Sequence, residues 1–281
     1  QQFYQLLIAP IAELLNRIDH LIVVPHQLLC NLPFHAFFDG QRYLLERCGV
    51  SYAISATFLH TLRQQQVPVT YAPPLILGVN DNLIQQAENE ALAVHQIFPE
   101  AELYCGKVAT VAQLSSIAAP RSFIHLATHG IFRTDNPLFS ALKLADGWVT
   151  MHELVTLQHS APLITLSACD TGRSETPFGD PMADFYHTFF RSGAQSLVVS
   201  LWSLDDQAAI HTMTTFYQEM RRGQPVYAAL RQAQLTMMAH WRHPYYWAPF
   251  ALTGDPYLHH LTALASPAEP KHGPVTIELH P

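Results

Sequence analysis

A thiol and an imidazole together can cut an amide bond. The thiol is nucleophilic only as a thiolate, and the imidazole can take its proton and later return one to the leaving group. Two short stretches offer this pair. HLATHG, residues 125–130, ends on His129 and Gly130, and SACDTG, residues 167–172, carries Cys169. Each closes an apolar run, SFIHLATHG and PLITLSAC, of the kind that forms a buried strand. The separation, 169 − 129 = 40 residues, leaves room for one crossover between adjacent parallel strands. In an open α/β sheet the carboxyl ends of the strands gather at one edge, where ligands bind. His129 and Cys169 are therefore expected to meet there. Gly130 permits close approach of a substrate, and its N–H with that of Cys169 is expected to hold an oxyanion.

The elements that must position the pair follow from apolar periodicity. FYQLLIAPIAELLNRI reads as a helix interrupted by Pro10, and LIVVP as a short buried strand. Residues 26–55 read as an irregular hairpin turning at Asp39-Gly40. QQQVPVTYAPP is the linker candidate. Beyond it the pattern becomes regular. PLILGV, AELYCG, SFIHLATHG, PLITLSAC, AQSLVVSLW and YWAPFALTG are strands, interleaved with helices over LIQQAENEALAVHQIF, VAQLSSIA, DPMADFYHTFFRSG, DDQAAIHTMTTFYQEMRRG and QPVYAALRQAQLTMMAHW. The first of these helices places Ala87, Ala91, Val94 and Phe98 on one face. Apolar strands alternating with helices imply a mostly parallel sheet covered on both faces. The Pro-rich end, SPAEPKHGPVTIELHP, is expected to be disordered.

Other side chains carry less specific signals. His125 shares strand parity with His129 but lies four residues deeper, as expected of a core histidine. An H-x-x-x-H metal pair would need a helix. Asp180 before Pro181 is a helix cap as readily as part of a substrate pocket, and Asp184 raises the same question. Asp170 stands between a pocket role and loop hydrogen bonding. Trp202 either lines a cleft or packs. Arg133 and Arg173 leave an acidic P1 preference open beside a basic one. Asp205 and Asp206 read as acids of a helix first turn. Cys30, Cys48 and Cys105 read as structural. No metal cluster, cofactor motif or third member of a triad is identifiable, and a thiol can work with a dyad.

The bulk numbers exclude several classes. Hydrophobic residues make up 49% and charged residues 13%, so the chain is globular. A net charge of −7 without a basic run argues against nucleic acid as a partner. No stretch reaches the ~18 apolar residues a membrane span needs. No signal peptide precedes the fold, and the four cysteines lack CxxC spacing, so a reducing cytoplasm is expected. Residue 1 is Gln, which suggests a fragment of a longer chain.

Five blocks in order resemble the CHAT peptidase domain, a caspase-like clan CD group found after tetratricopeptide repeats. They are LIVVPHQLLCNLPFHAFFDG, HLATHGIFRTDNPLFSALKLADG, ITLSACDTG, GAQSLVVSLWSLDD and HPYYWAPFALTGDP. The resemblance implies a three-layer α/β/α fold, with a companion subdomain at 1–70, a catalytic domain at 71–260 and a tail at 261–281. It implies a cysteine endopeptidase acting on protein substrates through His129 and Cys169, with Gly130 in the oxyanion hole and a repeat or sensor region upstream. Asp170, Asp180 and Trp202 are the candidate substrate contacts. The rival reading is a catalytically silent caspase-like interaction module. A glutamine amidotransferase fits less well, because Ser167 stands where its nucleophile elbow needs Gly and the histidine lies upstream.

Overall fold

The computed structural model describes residues 1–64, 72–115, 121–131, 133, 136–156, 161–169, 181–203, 205–258 and 275–278. The chain opens with α1 (Gln2–Leu7) and α2 (Ala12–Leu15), which Pro10 separates. Then come β1 (His20–Val23), α3 (Leu44–Arg47), β2 (Gly49–Tyr52) and α4 (Ala56–Gln64). The regular part begins with β3 (Leu75–Gly78), α5 (Ala87–Ile97), β4 (Glu102–Gly106), α6 (Val111–Ser115) and β5 (Phe123–Ile131). A hairpin of β6 (Ala141–Leu144) and β7 (Gly147–Thr150) leads to α7 (Met151–Thr156) and β8 (Leu163–Cys169). After α8 (Pro181–Arg191) and β9 (Ser196–Ser200) come α9 (Asp206–Arg221), α10 (Val226–His240) and α11 (Pro244–Trp247). β10 (Phe250–Gly254) and β11 (Val275–Glu278) complete the set.

One sheet runs in the order β1-β2-β10-β9-β8-β5-β3-β4-β11, with β6 and β7 attached to β5. Its pairs are parallel except β10 with β9, and β6 with both β5 and β7. The pleat sorts the strand residues onto two faces. Ile76, Phe123, Leu163 and Val198 pack under α5, α9 and α10 with Val94, Phe98, Met213, Phe216 and Leu230. Their neighbours Leu77, Ile124, Ile164 and Val199 pack on the opposite face with Met151, Leu154, Phe189 and Phe190. The expected face of α5 is in place, since Ala87, Ala91, Val94 and Phe98 are all buried. Helix α5 lies hard against β3: a Cβ on Gly78 would stand 2.6 Å from the Ala91 Cβ and 2.9 Å from the Ala87 carbonyl oxygen. Asp205 caps α9 by accepting from the amides of Gln207 and Ala208, and the positive φ of Gly193 (109°) ends the chain's exit from α8.

Three expectations change. β1 is half-buried rather than buried, because it forms an edge of the sheet. Residues 26–55 are not a hairpin. The Asp39-Gly40 turn joins a single bridge, Phe38 to Tyr43, and β2 then pairs parallel to β1. The Asp39 carboxylate accepts from the amides of Gln41 and Arg42 and pairs with Arg47, which favours a turn feeding α3 over a second strand. The crossover between β5 and β8 contains an unforeseen hairpin, β6–β7. Of the tail at 261–281, only Val275–Glu278 is described, as a strand beside β4.

Candidate active site

Strands β5 and β8 are neighbours, and their register forms a ladder under α5 and α9. Phe123 pairs with Leu163, His125 with Thr165, Ala127 with Ser167, and His129 with Cys169. Adjacent strands lie about 4.8 Å apart, so the backbones of His129 and Cys169 are immediate neighbours at the carboxyl end of the sheet. The bottom rung is apolar and fully buried, the next two are largely polar, and the last holds the residues with chemistry.

His129 is 9% exposed, and its Nδ1 lies 2.6 Å from Asp81 Oδ2. Asp81 follows the end of β3, the strand on the other side of β5. It is fixed by a local turn: its Oδ1 accepts from the amides of Leu83 at 2.8 Å and Ile84 at 2.9 Å, and its own amide donates to the Ile84 carbonyl at 2.8 Å. Burial pushes the Asp81 carboxyl up. The amides of Ile84 and Leu83 and the His129 imidazole outweigh that, and hold it below the ordinary carboxylate range. An ionised carboxylate only accepts, so Nδ1 carries the proton and Nε2 is the basic nitrogen. The Trp148 ring of β7 stands edge-on to the imidazole, with centroids 5.5 Å apart. Sequence reasoning found neither partner. An acid just past a strand that flanks the histidine strand is the signal that could have pointed to Asp81.

Gly130 is where β5, β6 and β8 converge. A Cβ there would approach the Ala168 Cβ at 3.1 Å and Leu142 Cδ2 at 3.4 Å. Glycine thus lets the hairpin close beside the site. Trp202, beyond β9, packs partly buried against the cluster under α9 and α10 and donates from Nε1 to the Tyr245 carbonyl at 3.1 Å. That is the sheet face on which His125 and His129 also lie. Arg133 is exposed. Asp170, Arg173 and Asp180 lie outside the described residues. Asp205 is the cap of α9, and Asp206 belongs to its first turn.

The middle of the ladder is organised by Glu90 of α5, only 3% exposed. Its Oε2 accepts from the Ser167 hydroxyl at 3.0 Å. Its Oε1 lies 3.2 Å from His125 Nε2, within ion-pair distance but without the alignment of a hydrogen bond. His125 Nδ1 faces the Tyr217 hydroxyl at 3.3 Å, which donates to Thr165 Oγ1 at 2.9 Å. His125 is a core histidine, as expected. Among the described residues there is no group of three or more His, Cys, Asp or Glu placed to hold a metal ion. Nor is any helix among them long and apolar enough to cross a membrane. Burial pushes the Cys105 thiol up to about 12 and also raises that of Cys48, as structural thiols require.

The sequence matches the CHAT domain family over residues 1–255. It is 25% identical over 320 aligned residues to human tetratricopeptide repeat protein 28, an alignment spanning 90% of this chain and 13% of that protein. In three dimensions it resembles the Arg-specific cysteine proteinase gingipain R, with a TM-score of 0.52 at 9% identity, covering 76% of this chain and 55% of that one. It also resembles the complex of the pro- and mature domains of RgpB from Porphyromonas gingivalis, with a TM-score of 0.50 at 12% identity, covering 75% of this chain and 56% of that one. The fold is thus the caspase-like α/β architecture of clan CD cysteine proteinases.

Proposed function

The chain belongs to the CHAT domain family, and on that premise we propose that it is a cysteine endopeptidase working through His129 and Cys169. The observation that carries this reading is the register: His129 and Cys169 are Cα partners at the last rung shared by two adjacent parallel strands, with an ionised carboxylate on the far side of the imidazole.

In this reading His129 Nε2 removes the Cys169 thiol proton, and the thiolate attacks the scissile carbonyl carbon. The resulting oxyanion accepts hydrogen bonds from the amides of Gly130 and Cys169. The C–N bond breaks as His129 protonates the departing amine, leaving a thioester. Water then attacks the thioester carbon, giving its proton to Nε2. The thiolate leaves with the carboxyl product released, and His129 returns the proton to sulfur. Asp81 acts as a positioning residue, holding the ring and compensating the imidazolium that forms. Trp202, Asp170 and Asp180 are assigned to substrate contact. The substrate is a protein met in the cytoplasm, and residues 1–70 serve as a companion to a catalytic domain at 71–260. Kinship with a tetratricopeptide repeat protein supports a repeat or sensor region upstream.

The test is a peptide-library cleavage profile with Cys169→Ala as control. The wild-type chain should cleave and the variant should not, with both folded by circular dichroism. Cleavage by the alanine variant at the wild-type rate ends this reading. A wild-type chain inert toward every library member supports the second reading, a caspase-like interaction module. That reading draws on kinship with a tetratricopeptide repeat protein, whose name carries no peptidase activity.

A further inference from the structure

Glu90 has no part in the chemistry above, yet it is a carboxylate inside the core that touches both strands of the ladder. Its Oε2 takes the hydroxyl of Ser167, two residues before Cys169 on β8. Its Oε1 stands against His125, four residues before His129 on β5. Burying such a group is costly unless partners compensate it, and here those partners lie on the two strands that carry the dyad. The geometry extends beyond Glu90 itself. The segment that begins α5 also carries Asp81, and the Glu88 amide donates to Asn80 Oδ1 at 3.0 Å, tying the helix start to the turn that orients His129. Helix α5 is seated without slack on β3 through Gly78 and Ala91. Helix α5 therefore faces both strands through Glu90, and the turn that leads into it holds His129 through Asp81.

We propose that Glu90 is a positioning residue that fixes the height of Cys169 relative to His129 by hydrogen bonding Ser167. The titratable groups packed on it are His125 of β5 and Tyr217 of α9, with Glu88 on its own helix. Its importance rests on the peptidase reading, but its test does not need a substrate. The probe is iodoacetamide, with alkylation of the Cys169 peptide followed by mass spectrometry across pH in the full chain.

Glu90→Ala and Ser167→Ala should each slow alkylation at pH 7 by roughly tenfold, the scale of a small displacement at a reacting pair. Each should also move the midpoint of the pH profile. The double variant should match either single one, because both remove the same contact. Glu90→Gln, which keeps an acceptor oxygen while losing the charge, should restore most of the rate. Val94→Ala, a cavity on the same helix, should lower Tm and leave the profile in place. A wild-type profile in Ser167→Ala, additive effects in the double variant, or an equal shift in Val94→Ala overturns the proposal. If Glu90→Ala does not fold, Ser167→Ala and Glu90→Gln decide alone. A chain that shows the coupling but cuts no peptide keeps Glu90's role and loses the peptidase reading. One that cuts normally in all these variants does the reverse.

Discussion

His35 and His129 both lie inside the protein, and the fold engages them differently. His35 has both ring nitrogens in use: Nε2 donates to the Ala248 carbonyl at 2.8 Å, and Nδ1 accepts from the Tyr52 hydroxyl at 2.9 Å. Burial lowers its pKa to about 4, with the Ala248 bond offsetting part of that, so it is a neutral strut between the N-terminal segment and the last turns of the chain. Among the described residues His129 has one hydrogen-bond partner, Asp81 at Nδ1, and it stands beside the Cys169 backbone at the last rung shared by β5 and β8. A histidine bonded at both nitrogens stabilises. A histidine bonded at one, by a carboxylate, is oriented and still has a nitrogen with which to move a proton.

The sharpest way to break this contrast is to remove each ring. His129→Ala is expected to lower kcat/KM by about 10³-fold with little change in melting temperature. His35→Ala should do the opposite, melting early while its folded fraction keeps normal kcat. If both variants lose activity in proportion to stability, the two histidines are not different in kind. Asp81→Asn comes next. It keeps the shape of the turn but weakens control of the tautomer, and kcat should fall on the order of 10²-fold with KM nearly unchanged.

The third test uses pH. A histidine whose folded pKa lies below its unfolded value of 6.5 stabilises fully above pH 6.5, and that stability is lost as pH falls toward 4. For His35 the loss is on the order of 3 kcal/mol. Burial lowers His20 in the same direction, so it adds to the same window. Thermal melts between pH 7 and pH 4 should show the decline, and His35→Gln should flatten much of it. The smallest effect is expected at Asp205, whose side chain accepts from the amides of Gln207 and Ala208. Asp205→Ala should cost about 1 kcal/mol through the lost α9 cap and shift Tm by a few degrees.

The register of His129 and Cys169 was legible because it depends on local pattern. Both residues follow short, mostly apolar runs, and parallel strands of that kind share an edge. The Asp81 contact depends on which strand lies beside β5, which no periodicity reveals. The Asp-Gly dipeptide shows the same limit twice. At 146–147 it marks a true hairpin, β6–β7, flanked by short extended segments. At 39–40 it marks a turn into α3, because Pro33 and the Asp39 side-chain bonds divert the chain. Asp-Gly specifies the turn, and its neighbours decide what the turn joins. Glu90 was hidden for a related reason. On the helix pattern it takes the i+3 place of the apolar face that starts at Ala87, a place where a charged residue is out of keeping, and only the strand partners facing it make a buried carboxyl group tenable.

The position of β10 has a consequence for how the chain is made. β1 and β2 reach the rest of the sheet through β10, where Tyr52 pairs with Thr253, 253 − 52 = 201 residues later. During synthesis, Val50 and Tyr52 are made well before Ala251, which packs with them. Between those moments β1 and β2 have each other but not β10, through which they join the rest of the sheet. Its joining to the sheet is a late, long-range step of the kind that slows folding. The bare edge of β2 is therefore a feature of the partly made chain that the finished sheet covers with β10.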